Sequence, residues 1–226
     1  NGRLEPAPQQ LLRSPDSCGM DVQIRLTPAL DSARQIGSLR RLWIFCPWLE
    51  RFPHETGMWV SVLAAHDANG TLFDVLPASG KSRPDVYAAV FAVDPFRSAE
   101  EIIRGISRSG LGGVINFPSI SFIDGSAAAT LEKLSLGVAQ ELEFLAECSA
   151  AGLRVAGVVR SAAAAERLLE IGADFLVAHG GPPTSADRDP SIEAARRIGM
   201  YERRRKVPIV PLSFITFVQR SMRSPG

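Results

Sequence analysis

Three polar side chains stand directly after short apolar runs in this chain of 226 residues. Asp94 follows the run at 86–93, and Asn116 and His179 each follow a similar run. Runs rich in Val and Ile are typical of strands buried in a parallel sheet. Barrel enzymes assemble their sites at the C-terminal ends of such strands. We therefore expect the three side chains to meet at one end of a barrel, which we call the mouth.

Each of the three has a chemical use and an ordinary structural one. Asp94 offers the oxygen ligands that Mg²⁺ takes, or it begins a turn before a helix. The Asn116 amide could donate to an enolate or phosphate oxygen, or it could satisfy the loop backbone. His179 could act as a general acid or base or bind a metal ion, or it could be a structural histidine. The residues alone leave these alternatives open.

Neighbouring residues extend this candidate site. Arg97 could clamp a carboxylate or phosphate through its guanidinium, or it could pair with Glu100 or Glu101. Gly180 and Gly181 could let backbone N–H groups approach a phosphate, although the two prolines that follow have no N–H to add. These three residues are therefore predicted to bind the anionic part of a substrate.

Strands and helices alternate along the chain. Seven strands are predicted, at 22–26, 42–45, 86–93, 113–115, 155–159, 175–178 and 207–210. Helices are predicted at 29–36, 99–107, 131–150, 162–171 and 191–206. This alternation indicates parallel strands joined by right-handed crossovers. The predicted fold is α/β, a (β/α) TIM-type barrel that is incomplete or distorted, with a doubly wound open sheet as the alternative.

Composition narrows the classes of partner. Residues 1–20 are predicted to be an N-terminal arm and 21–226 a single barrel domain. The 25 basic and 24 acidic residues give a net charge of +1, which would not gather nucleic acid or an anionic membrane. The three cysteines lack disulfide or zinc spacing, and no run approaches the roughly 18 apolar residues of a membrane span. We expect a cytoplasmic protein that binds a small anionic molecule, with neither nucleic-acid nor membrane partner.

Three phrases in the middle of the chain are distinctive. They are Val-Asp-Pro-Phe-Arg at 93–97, Asn-Phe-Pro-Ser at 116–119 continuing into Phe-Ile-Asp-Gly at 122–125, and Gly-Ala-Asp-Phe-Leu-Val-Ala-His-Gly at 172–180. In order and separation they resemble the phosphoenolpyruvate hydrolase-like family, also described as TIM-barrel signal-transduction proteins. The similarity runs from about residue 68 to 181 and includes Glu141 and Glu143.

The resemblance implies a barrel related to phosphoenolpyruvate and pyruvate enzymes, with a divalent metal such as Mg²⁺. The first hypothesis is therefore a metal-assisted lyase or hydrolase that acts on a small phosphoenolpyruvate-like or oxo-acid substrate. Asp94 would hold the metal, Asn116 and Arg97 would bind the anion, and His179 would move the proton. Asp124, which also suits a turn before Gly125, and Glu141 would support these groups from behind.

A second hypothesis comes from departures from the family's phrases after strands one, two and seven. Leu-Thr-Pro-Ala at 26–29 and Cys-Pro-Trp-Leu-Glu-Arg at 46–51 replace the family's residues. The chain would then be a catalytically degenerate barrel that binds or scaffolds as a homo-oligomer. Aromatic residues between Trp43 and Trp59, beside His54 and Glu55, would form an interface. A flavin barrel is a third reading, from the loop around Gly180, and a flavin is not expected.

Overall fold

The computed structural model describes residues 22–33, 40–52, 66–77, 81–181, 189–201 and 207–217. The strands are β1 (Val22–Thr27), β2 (Arg40–Phe45), β3 (Arg83–Val90), β4 (Leu111–Asn116), β5 (Arg154–Val159), β6 (Leu176–Ala178), β7 (Ile209–Pro211) and β8 (Thr216–Phe217). The helices are α1 (Ala68–Val75), α2 (Ala99–Ser109), α3 (Gly125–Lys133), α4 (Val138–Ala150), α5 (Ala162–Ile171) and α6 (Pro190–Tyr201). Within these ranges, no helix has the length and apolar character needed to cross a membrane.

All strand pairs are parallel, in the order β7-β6-β5-β4-β3-β2-β1-β8. β7 pairs with β6, the chain makes the single 3-10 turn Leu212–Phe214, and β8 then pairs with β1. The two short strands thus stand at the two ends of the strand order, and among the described residues no backbone pairing joins them to each other. The prediction of an incomplete TIM-type barrel is confirmed. The sequence analysis did not predict β8, because a strand of two residues is too short to show the alternation of apolar and polar residues.

Strand residues alternate between two apolar layers, because successive side chains of a strand point to opposite faces. One cluster fills the barrel and includes Ile44, Ala89, Ile115, Val158 and Val177. Their sequence neighbours pack outward with the helices: Phe45, Val90, Val114, Val159 and Ala178. His179 lies two residues after Val177, so its side chain points to the same, inner face of the barrel. Because His179 follows the end of β6, its ring lies at the mouth.

Polar contacts close the opposite, N-terminal end of the barrel. The Tyr87 hydroxyl and the Asp174 Oδ2 atom lie 2.5 Å apart, and Arg154 Nε donates to the same oxygen at 2.8 Å. The Arg154 guanidinium also lies 5.3 Å from the centre of the Tyr87 ring, which is a cation–π distance. This end of a barrel serves stability, which leaves chemistry to the mouth.

Strand β3 ends earlier than predicted, and this moves Asp94. The Asn69 side chain accepts the Phe91 N–H and donates to the Phe91 carbonyl, both at 2.9 Å. The Phe91 backbone groups are therefore used by a side chain at the point where the strand stops. Asp94 lies in the turn that follows, four residues beyond Val90, and not directly at a strand end.

Two predicted helices are wrong in their extent. The segment 131–150 is divided into α3 and α4 because Ser135 has a left-handed φ of 57° and the Glu132 carboxylate accepts the Val138 N–H at 2.7 Å. The segment 29–36 contains only the 3-10 turn Leu30–Ser32, and 34–36 lie outside the described residues. Helix α1 was not predicted; the Asp67 carboxylate caps it by accepting the Gly70 N–H.

Gly112 provides a test of the β3–β4 contact. A Cβ atom there would lie 2.0 Å from the Pro84 carbonyl oxygen, which is backbone of the paired strand. We expect Gly112→Ala to lower the free energy of unfolding by about 1–3 kcal/mol. Gly199→Ala in α6, where a Cβ meets open space, should raise it by up to ~1 kcal/mol. Urea unfolding followed by circular dichroism measures both, and equal effects would contradict this packing.

Candidate active site

A chain of hydrogen bonds runs from helix α4 to the end of β6. Glu141 Oε2 accepts the Ser119 hydroxyl at 2.7 Å, and the Ser119 and Ser121 hydroxyl oxygens lie 2.7 Å apart. Ser121 Oγ lies 2.9 Å from His179 Nε2. All four residues are buried, with at most 6% of any of them exposed. We call Glu141, Ser119, Ser121 and His179 the polar relay.

The turn after β4 holds the two serines in line. Ser119 precedes the 3-10 turn Ile120–Phe122, and its hydroxyl oxygen accepts the Ser121 N–H at 3.1 Å. Glu141 fixes the same turn from α4, since its Oε1 atom accepts the Ile120 N–H at 2.7 Å. One carboxylate thus joins a helix to the turn that carries both hydroxyl groups.

Asn116, the last residue of β4, lies behind the relay. Its Nδ2 atom donates to Glu141 Oε2 at 2.9 Å, and its Oδ1 atom accepts the Val158 N–H at 2.7 Å. The residue is only 1% exposed. The structure brings Asn116 to the candidate site but commits its amide to Glu141 and to β5. Its predicted role as a donor to substrate stays a prediction.

The hydrogen-bond partners assign the proton positions of the relay. The Gly181 N–H donates to His179 Nδ1 at 3.3 Å, so in the neutral ring Nε2 carries the proton. His179 Nε2 then donates to Ser121, Ser121 to Ser119, and Ser119 to Glu141. Gly181 has a φ of +95°, a conformation that favours glycine. Every hydrogen in the chain therefore points toward the carboxylate.

Burial governs the charge of Glu141. Desolvation raises the pKa of the Glu141 carboxyl to about 7, and hydrogen bonds from Ile120 N–H, Ser119 and Asn116 act in the opposite direction. A carboxyl group with a pKa near neutrality can take up and release a proton under ordinary conditions.

His179 is shifted the other way. Burial, with a smaller contribution from the positive charge of Arg160, lowers the pKa of the His179 imidazole to about 4. The usual order of the two pKa values is thus inverted, and Glu141 holds a proton more readily than His179. Titratable groups whose pKa values are pushed apart are characteristic of acid/base sites.

Arg160 is a residue that the sequence analysis missed. It directly follows β5, so the strand-end rule that selected His179 would have found it. Its Nη2 atom donates to Asp124 Oδ2 at 3.0 Å, and a methyl group at Gly181 would come within 3.6 Å of the same nitrogen. Asp124, predicted as a supporting acid, is therefore the exposed partner of a cation beside the His179 loop.

Asp94 and Arg97 lie together, but in a separate cluster that we call the latch (Asp67, Asn69, Asp94 and Arg97). Asp94 Oδ2 accepts from Asn69 at 2.8 Å and from Arg97 at 3.0 Å, and Oδ1 accepts the Phe96 N–H at 2.7 Å. The Arg97 guanidinium binds both Asp67 oxygens, at 2.8 and 2.6 Å. Arg97 does clamp a carboxylate, and that carboxylate belongs to α1's capping residue.

The alternative pairing of Arg97 with the first turn of α2 is wrong. Glu100 pairs with Arg104, four residues later on the same helix. The Glu101 carboxylate accepts the N–H and the hydroxyl of Ser98 in a capping box. Both glutamates therefore have other partners.

Metal-binding side chains are not clustered in the described part of the chain. No group of three or more His, Cys, Asp or Glu in the described ranges is placed to hold a metal ion. Both Asp94 oxygens and both His179 ring nitrogens already have protein partners. The divalent metal implied by the resemblance, with Asp94 as its ligand, stays a prediction.

The tryptophans of β2 and of the turn after it lie inside the protein. Trp43 and Trp48 are 3% and 0% exposed, and Trp48 stacks on Phe117 with ring centres 5.7 Å apart. The Phe122 ring lies 4.3 Å from the ring of His179. The prediction that Trp43 and Trp48 form an exposed interface is wrong, because they pack in the core. Three other residues of that prediction lie outside the described residues: His54, Glu55 and Trp59.

Fold and site define an α/β-barrel protein with a buried polar relay at its mouth. Residues 54–198 match the model of the phosphoenolpyruvate hydrolase-like family, and the chain belongs to this family, as its phrases predicted. An uncharacterized protein, y4oT, of Sinorhizobium fredii is 34% identical over 140 residues, which cover 62% of this chain and 71% of that protein.

Two further relatives are larger. The ToMV resistance protein Tm-1 of Solanum lycopersicum is 32% identical over 150 residues, 65% of this chain and 19% of that protein. The putative transcriptional regulatory protein y4pA of Sinorhizobium fredii is 32% identical over 120 residues, 51% of this chain and 19% of that protein. The matched segments therefore cover about a fifth of each of these two proteins.

The latch should contribute to stability. In Arg97→Ala, the Asp94 carboxylate, whose side chain is only 4% exposed, loses its cation. We expect the free energy of unfolding to fall by roughly 1–3 kcal/mol. Arg104→Ala, which removes an exposed i,i+4 pair, should change it by about 0.5 kcal/mol or less. Urea titration of both variants checks this, and similar losses would show that the latch is no stronger than a surface ion pair.

The raised pKa of Glu141 predicts how stability depends on pH. Since the folded-state pKa is about 7 and the ordinary value 4.5, its contribution is complete below pH 4.5 and is lost as pH rises to about 7. His179, lowered from 6.5 to about 4, contributes stability that is lost as pH falls through that range. The two trends oppose each other in the native protein.

Glu141→Gln should therefore leave only the pH dependence of stability that comes from His179. We expect the free energy of unfolding of this variant to rise between pH 4 and 6.5 more steeply than that of the native chain. Glu143→Gln, on the exposed side of α4, serves as the control and should follow the native profile. Parallel profiles for all three proteins would mean that the Glu141 carboxyl has an ordinary pKa.

Proposed function

We propose that the protein is an acid/base enzyme of lyase or hydrolase type that acts on a small oxo-acid or phosphoenolpyruvate-like anion at the barrel mouth. The observation that supports this most is the polar relay, which connects a histidine after β6 to a buried glutamate. Because burial keeps His179 uncharged at neutral pH, its Nδ1 atom can accept a proton once the Gly181 N–H contact opens. Membership of the phosphoenolpyruvate hydrolase-like family supports the same class of substrate.

Arg160 is the proposed binding residue for the substrate anion. Its guanidinium lies beside Gly181, and its partner Asp124 has a side chain that is 67% exposed. Exposed ion pairs of this kind contribute only about 0–1 kcal/mol. A carboxylate or phosphate of the substrate can therefore replace Asp124 at little cost and form a bidentate contact with Arg160. Arg97 is less suited to this role, since Asp67 and Asp94 already occupy its guanidinium.

The proposed division of labour follows from these positions. Arg160 orients the anion, His179 takes or returns the proton next to the carbonyl or enol group, and the buried relay excludes water from the proton path. No step depends on a metal ion. Metal assistance through Asp94 stays a prediction, so activity is measured both with and without Mg²⁺.

A non-catalytic barrel that binds a small anion or acts as a homo-oligomeric scaffold is the second candidate. The observation that favours it is the burial of His179, which is 1% exposed. Binding of phosphoenolpyruvate without turnover, measured by calorimetry, together with dimers in analytical ultracentrifugation, would support this candidate over the enzyme.

Proton exchange tests the enzyme directly. We expect the protein to catalyse exchange of the pyruvate methyl protons with D₂O, or release of phosphate from phosphoenolpyruvate, both followed by NMR. His179→Gln should slow the reaction about 10²–10⁴-fold, the usual contribution of a general acid or base. Arg160→Gln should lower kcat/KM about tenfold or more through loss of the bidentate contact. Arg104→Gln, an exposed arginine of α2, is the control and should retain native rates.

A native chain that catalyses neither reaction, with or without Mg²⁺, would contradict the proposed function. So would a His179→Gln variant with native rates.

A further inference from the structure

We infer that Glu141 stores the proton that His179 takes from the substrate, and that the Ser119 and Ser121 hydroxyl groups carry it there. The inference rests on the proposed function and specifies the residues through which it acts. His179 is then the catalytic base in contact with substrate, and Glu141 is a proton store that the substrate never reaches.

The path is continuous without any additional molecule. Its three oxygen–oxygen or oxygen–nitrogen steps measure 2.7, 2.7 and 2.9 Å, all within ordinary hydrogen-bond distance. Each serine hydroxyl can donate and accept at once, which is the requirement for passing a proton along a chain. The path ends at a carboxylate oxygen, the strongest acceptor among the four groups.

The transfer balances in protons and charge. The substrate X–H bond breaks as a bond forms between that hydrogen and His179 Nδ1. The Nε2 proton moves to Ser121 Oγ, the Ser121 hydroxyl proton to Ser119 Oγ, and the Ser119 hydroxyl proton to Glu141 Oε2. The substrate is left with the electron pair of its X–H bond, Glu141 becomes a neutral acid, and the ring remains neutral with its proton now on Nδ1. The reverse sequence returns the proton, and neither an oxidant nor a reductant is needed.

His179 Nδ1 is the ring atom that can meet the substrate. Its contact with the Gly181 N–H is 3.3 Å, which is long for a hydrogen bond, whereas Nε2 is engaged by Ser121 at 2.9 Å. A proton on Nδ1 would face the Gly181 N–H, so this second tautomer requires that contact to open. Protonation of Glu141, or binding of substrate between Arg160 and Gly181, would drive this opening.

The charges around the two ends favour storage on Glu141. A positive imidazolium would lie in the field of Arg160, in a site that excludes water. A protonated Glu141 instead removes a buried negative charge. The groups that face His179 are Arg160, Ser121, Phe122 and the Gly181 N–H. Those that face Glu141 are Asn116, Ser119, the Ile120 N–H and, through its charge, Glu132.

Protonation of Glu141 must reverse the chain. Asn116 and Ile120 donate N–H groups to the carboxylate and cannot accept its proton. The new O–H of Glu141 therefore donates to Ser119, Ser119 to Ser121, and Ser121 to His179 Nε2. The ring then carries its proton on Nδ1, so the tautomer of His179 reports the protonation of a residue that it does not touch.

This coupling can be measured without substrate. In the uniformly ¹⁵N-labelled full chain, we expect the two His179 ring nitrogen shifts to move in opposite directions, cross and exchange places as pH falls through about 7. That exchange indicates a change of tautomer, whereas formation of imidazolium brings both shifts to a common value without exchanging them. A native protein whose two shifts show no such opposed step near pH 7 would overturn the inference.

Variants of the native chain locate the path. The step should disappear in Glu141→Gln, and in Ser121→Ala, which removes the hydroxyl beside the ring. Ser121→Thr, which keeps a hydroxyl, should restore it. The control Ser107→Ala removes a hydroxyl of α2 that bonds only to the Ile103 carbonyl, and it should leave the step unchanged. Persistence of the step in Ser121→Ala would overturn the path through the serines.

The readout separates the inference from the proposed function. A tautomer step in a protein that catalyses neither proton exchange nor phosphate release supports the proton path and overturns the enzyme. Catalysis in a protein without the step supports the enzyme and overturns storage on Glu141.

Discussion

The buried carboxylate of Glu141 is the interaction on which the mouth depends. A carboxylate removed from water must have hydrogen-bond donors, or burial costs several kcal/mol. The Ile120 N–H, the Ser119 hydroxyl and the Asn116 amide supply them. Because these donors come from the end of β4 and from the turn after it, one side chain of α4 fixes both. The serine hydroxyl groups that face His179 are aligned as a consequence.

The same contacts explain how chemistry and stability share this end of the barrel. The latch of Asp67, Asn69, Asp94 and Arg97 ties the turn after β3 to the start of α1. The relay occupies the turns after β4 and β6 instead. Two polar clusters thus lie at one end of the sheet, with one closed on itself by ion pairs and the other leading to a histidine.

The incomplete wall sets a further constraint. β7 and β8 stand at the two ends of the strand order, and they pair with their neighbours over only three and two residues. The relay's turns follow β4 and β6, which have β5 between them, and β6 itself pairs with the short strand β7. Trp48 stacks on Phe117, which adds an apolar contact just before the turn that holds Ser119 and Ser121.

The sequence by itself determined the α/β alternation, the family and the position of His179 directly after a strand, because strand and helix periodicity and short phrases are local properties. It also pointed to Glu141, but only through resemblance. Only the tertiary structure decided the partners. Arg97 met Asp67 across 30 residues, Asp94 met Asn69 across 25, and Glu141 met Ser119 across 22. Whether a polar side chain faces substrate or another side chain depends on packing between distant elements, and no local pattern records it.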